Sequence, residues 1–164
     1  MISTEYRWFL ADRLHREGDL PAIIGADGTQ IWCFNGKLHR ENDQPAVVRG
    51  DGTQEWYFNN KHHRDGGKPA IIRANGTQNW YFDGKLHRED DQPAVIGADG
   101  TQVWRFGGKR HRENDRPAVI RANGTHMWYF NGKRHRVGGG PAVIARDGSL
   151  EWWVNGRRTA RESL

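Results

Sequence analysis

Apolar and polar residues along this chain recur at a step of 24, not at the 3.6-residue spacing of a helix. Trp stands at 8, 32, 56, 80, 104, 128 and 152, which accounts for seven of the eight Trp. His-Arg begins at 15, 39, 63, 87, 111 and 135, and all six Pro fall at 21, 45, 69, 93, 117 and 141. Asp-Gly or Asn-Gly recurs at 27, 51, 75, 99, 123 and 147 without an insertion. Within one unit, Ala46 to Arg49 is short and β-branched, and Thr53 to Phe58 carries Thr and three aromatics, so both predict strands. Asp51-Gly52 between them, and Asn-Gly after the second strand at Asn35-Gly36, Asn131-Gly132 and Asn155-Gly156, suit tight hairpin turns. Pro heads the first strand, where an amide donor is dispensable.

The pattern predicts an all-β fold: an elongated antiparallel β-hairpin array in a single twisted sheet or solenoid. Seven Trp strands and six Pro-Ala strands give about 13 strands with a 24-residue period. At strand spacing such a sheet is about 60 Å long, and equivalent residues lie about 10 Å apart. One domain is expected over 1–164: a partial repeat 1–14, six units over 15–158, and a C-terminal cap 159–164. Alternation within the Trp strand puts Trp and the Phe two residues later on one face, an expected buried ladder. Its scaffold is Trp32, Trp56, Trp80, Trp104 and Trp128, with His39, Arg40, His87 and Arg88 as structural staples. The residues flanking each Trp are expected on an opposite, mixed face.

Composition sharpens the picture. A hydrophobic fraction of 35% is low for a globular domain, yet eight Trp do not fit a disordered chain. No run of 18 apolar residues occurs, so no transmembrane helix is expected. Met1 to Leu10 shows no signal-peptide pattern, which points to a cytoplasmic protein. The single Cys33 leaves no internal disulfide and reads as a substitution in the Tyr register.

The strings Asp-Gly-Thr-Gln-Glu-Trp-Tyr-Phe-Asn and Asn131-Gly132-Lys133-Arg134-His135 resemble MORN repeats, most closely the MORN variant of YwqK-type bacterial antitoxin proteins. That resemblance covers nearly the whole chain. It implies an elongated hairpin array, no cofactor, and roles in protein or membrane contact. Three features differ from the common pattern: the period of 24, Arg after His, and Pro-Ala in the following strand.

Six regular copies of His-Arg argue for a staple, since catalysis needs one site and a fold needs the contact in every unit. No enzyme, cofactor or metal is expected. Successive His would lie about 10 Å apart, too far to share one ion. Charge is the more informative signal. The net charge of +5 divides into −3 over residues 1–104 and +8 over 105–164. Arg105, Arg110, Arg116, Arg134, Arg157 and Arg158, with Tyr129 and Trp153, are therefore the candidate partner- or anion-binding residues. The expected function is protein–protein interaction, with an acidic partner suited to the basic end and masking of another protein as its mode. Self-association through the acidic front and basic rear, and binding of a nucleotide, RNA or other phosphate-rich surface, are the alternatives.

Overall fold

The computed structural model describes residues 4–163; Met1, which opens the partial repeat, and Leu164, which closes the cap, lie outside them. All regular structure is β. Fourteen strands form an antiparallel sheet in strict chain order, and twelve more form six separate two-stranded hairpins. The chain divides into two compact units, 1–84 and 85–164.

In the first unit the sheet strands are Tyr6–Arg7, Ile23–Ile24, Gln30–Ile31, Val47–Val48, Gln54–Glu55, Ile71–Ile72 and Gln78–Asn79. In the second they are Val95–Ile96, Gln102–Val103, Val119–Ile120, His126–Met127, Val143–Ile144, Leu150–Val154 and Arg157–Glu162. Residues 159–162 belong to the fourteenth and last strand of the sheet, paired with Leu150–Val154 through a bulge at Trp152/Trp153.

The expected six-residue Trp strand is also corrected: it breaks at Trp. Gln54–Glu55 pairs with its sheet neighbours, whereas Tyr57–Phe58 pairs with Lys61–His62 in a hairpin of its own. Trp56 is the pivot. Its amide donates to the Ala70 carbonyl (2.8 Å), and its carbonyl accepts from the His63 amide (3.2 Å). The hairpin turn is Asn59-Asn60, both at positive φ (49° and 69°), as a type I′ turn demands. Asp51-Gly52 instead sits in a three-residue loop in which Gly52 alone is left-handed (φ 90°). There the Asp51 carboxylate accepts from the Thr53 amide at 2.8 Å.

This change of partner alters which side chains are buried. Trp32, Trp56, Trp80, Trp104 and Trp128 are 5–7% exposed, and the Ala of each Pro-Ala strand is fully buried. Phe34, Phe58, Phe82, Phe106 and Phe130 are 44–67% exposed, so the expected Trp/Phe ladder does not exist. A continuous pleat would put both on one face. The switch of pairing at Trp interrupts the pleat and turns the Phe outward.

The face expected to be mixed and open is in part a second core. Val47 lies opposite Glu55, Ile71 opposite Asn79, and Val119 opposite Met127, all six buried. Tyr129 and Trp153, expected as exposed aromatics, are half-buried against Val119, Met127 and Val143.

Candidate protein-docking face

Each repeat builds its surface from one staple. The Arg64 guanidinium lies over the Trp56 ring at 3.7 Å and donates to the Pro69 carbonyl (3.3 Å). It also forks onto both Asp43 oxygens of the preceding repeat, at 2.6 and 3.0 Å. The Trp56 indole N–H donates to the Asp43 carbonyl (2.9 Å), so one loop residue satisfies both members of the stack. The same set recurs at Arg40–Asp19–Trp32, Arg112–Asp91–Trp104 and Arg136–Asp115–Trp128. Hydrogen bonds from these guanidiniums hold the four Asp carboxyls below the usual carboxylate range, with Lys68 adding to Arg64 at Asp43. The backbone carbonyl at the head of each Pro-Ala strand thus serves as an acceptor of the staple.

The His of each His-Arg packs on Phe. His63 lies against Phe58 of its own repeat (6.4 Å between ring centroids) and Phe82 of the next (5.4 Å). In the second unit His111 sits likewise between Phe106 (6.5 Å) and Phe130 (5.1 Å). The Nδ1 of His15, His63, His87 and His111 accepts the backbone N–H at the following hairpin turn.

The outcome is a face in which exposed Phe alternates with His, and shallow clefts open between successive repeats. In the first unit these clefts hold about 550 and 500 Å³, the former between His15, Phe34 and Glu41, the latter between His39, Phe58 and Asp65. In the second they hold about 370 and 340 Å³ in the same register. Two charged columns border the face. Phe58 lies directly opposite Lys61, and the cation recurs at Arg13, Lys37, Lys85, Lys109 and Lys133, all exposed. Glu17, Glu41, Asp65, Glu89 and Glu113, two residues after the first five His of the series, form the acidic column and are also exposed, while Val137 takes that place after His135.

No protein-family model matches this chain, and no curated protein matches it.

The basic candidates are brought together only in part. Arg110, Arg134 and Tyr129 meet at the Tyr129 hydroxyl (3.4 Å from each guanidinium). Arg134 also covers the Trp153 ring at 4.4 Å and approaches Glu151 (3.8 Å), which Arg158 reaches at 3.4 Å. Arg105, the cross-strand partner of Arg110, donates to the Gly108 carbonyl, and Arg116 pairs with Asp91. Of the six arginines, Arg110 and Arg157 stand outside any carboxylate or carbonyl contact among the described residues. No helix among those residues is long and apolar enough to cross a membrane.

A polar cluster in the first unit escaped the sequence reading. Glu55, 5% exposed, accepts from Arg49 Nε (2.6 Å), Tyr57 Oη (2.9 Å) and His62 Nε2 (3.0 Å). The His62 bond, helped by Arg49 and Tyr57, holds its carboxyl down to about 2, against the pull of burial. Burial, together with Glu55, pushes the Tyr57 phenol up. The signal in the sequence is His62, the one His in a register that otherwise holds Leu or Arg, beside Glu55, whose register holds Glu again only at 151; Arg49 recurs at Arg73 and Arg121. Cys33 is buried and its thiol pushed up by that burial, the surroundings of an inert side chain.

Proposed function

We propose that this chain is a non-enzymatic, MORN-like repeat module that binds a protein chain through its Phe–His face and masks part of that partner. The observation that carries the reading is the contrast within each repeat. Trp is 5–7% exposed, while the Phe two residues later is 44–67% exposed in five successive repeats. A fold that can bury an aromatic in every unit leaves another one out in every unit, and contiguous apolar surface of that kind marks interaction sites. Regularity argues against catalysis, because each cleft repeats the last. The resemblance to MORN arrays supports the same reading.

The test is site-specific photo-crosslinking in the native host, with the crosslinker replacing Phe58 or Phe106 and, as controls, Asp27 or Asn123 in the opposite turns. Protein adducts concentrated at the Phe positions are the expected result. Adducts no more frequent there than at the controls would overturn the reading.

A further inference from the structure

We infer that the Phe–His face is covered by the same face of a second copy of this chain; the inference rests on the reading of that face as a protein-docking surface. Three observations carry it. First, the exposed stripe is apolar along its centre, with Leu10, Phe34 and Phe58 in the first unit and Phe106, Phe130 and Val154 in the second, all 44–67% exposed. Second, its two borders carry opposite charge. The cation at each hairpin is cross-strand partner to the stripe residue: Arg13 to Leu10, Lys37 to Phe34, Lys61 to Phe58, Lys109 to Phe106 and Lys133 to Phe130. Directly opposed residues project to one side, so cation and stripe share a face. The acid lies beyond the His, with the Asp65 carboxylate 3.0 Å from His63 Nε2 and the Glu113 carboxylate 3.8 Å from His111 Nε2.

Third, both borders advance by one two-strand repeat, about 10 Å at the spacing of paired strands. A helix comes back on this step only at every second turn, about 10.8 Å, and an extended peptide, with side chains on one face about every 7 Å, does not keep it. A second array of the same repeat does. A two-fold axis parallel to the columns of a unit lays cation border on acid border and Phe on Phe. In the first unit Arg13, Lys37 and Lys61 would then face Glu17, Glu41 and Asp65 of the other copy, and the reverse. Such a contact is isologous and satisfies both borders at once. Lys61 now reaches Asp83 (2.6 Å) with both side chains more than half exposed, a pair weak enough to exchange. The self-association expected from the sequence joined acidic and basic ends; this one uses the opposite borders of a single face.

The experiment is sedimentation of the purified full chain over a concentration series at low and high salt, with two charge-reversed variants. One carries Arg13→Glu, Lys37→Glu and Lys61→Glu; the other carries Glu17→Lys, Glu41→Lys and Asp65→Lys. The wild type is expected at twice the chain mass, with a dissociation constant that rises about tenfold or more with salt. Each variant alone is expected as a monomer, and an equimolar mixture as a dimer of both. Unmixed and mixed variants that behave alike, or a wild type that stays monomeric at every concentration, would overturn the inference. Crosslinks from Phe58 or Phe106 to a different protein, beside a monomeric wild type, would sink self-pairing yet leave the docking reading standing. Their absence would remove both.

Discussion

At the scale of single residues, Glu55 shows how one buried carboxylate ties folding to pH. It is acceptor to Arg49, Tyr57 and His62, and its folded pKa of about 2 lies below the ordinary 4.5. A depressed folded pKa means that the unfolded chain takes up the proton first as pH falls. The stabilisation is therefore complete above the unfolded value and is lost between about 4.5 and about 2. It amounts to about 3 kcal/mol at most. Glu55→Gln should flatten that acid limb while lowering stability at neutral pH, where three donors lose a charged acceptor. Urea unfolding midpoints of both proteins across the acid range check this, and parallel acid limbs would contradict it. The cluster was legible only in His62, which departs from the Leu or Arg of its register. Its burial was not, because a Glu on the alternate face from Trp56 reads as a surface side chain until its pairing within the sheet is seen.

At the scale of elements, the Arg staple joins hairpin, strand and preceding loop. Arg112 touches three of them: the Trp104 ring at 3.7 Å, the Pro117 carbonyl at 3.3 Å, and Asp91 through both Nε (2.9 Å) and Nη2 (2.8 Å). Its side chain is 13% exposed, so these contacts are little screened. Arg112→Ala should cost about 2–3 kcal/mol, from the lost stack and the charged hydrogen bonds. Arg112→Lys should recover less than half, since an ammonium cannot lie flat on the indole and fork to a carboxylate together. Denaturant unfolding of the two variants measures the difference, and a Lys variant equal to wild type would refute the fork-and-stack account. The sequence placed His-Arg among staples by repetition alone. It could not assign the partners, because Asp91 is 21 residues away and Trp104 and Phe106 compete for both side chains.

At the scale of the whole molecule, the C-terminal strand matters more than its polar sequence suggests. Arg157–Glu162 is exposed throughout, yet it pairs along the whole of Leu150–Val154. Without it, Leu150–Val154 would be an edge, and Trp152 and Trp153, now half-buried, would lose cover. Deleting residues 157–164 should therefore lower the thermal midpoint and promote aggregation, read by circular dichroism and light scattering during heating. A truncated chain as stable and as dispersed as the full one would show the strand to be dispensable. The positive charge has a similar history. The excess of +8 over 105–164 stands in the sequence, but Arg116, Arg134 and Arg158 spend theirs on Asp91 and Glu151.

The 24-residue step by itself determined the all-β class and the antiparallel hairpin array, because both depend on local backbone preference and on repetition. The tertiary structure alone decided which aromatic is buried. Trp and Phe are equally apolar and two residues apart, and alternation assigns them to one face as long as the strand runs on. The Trp56 amide bonds forward to Ala70, and the next two residues turn back on Lys61–His62, so the pleat ends at the pivot. That single change of hydrogen-bond partner puts Trp in the core and leaves Phe on the surface.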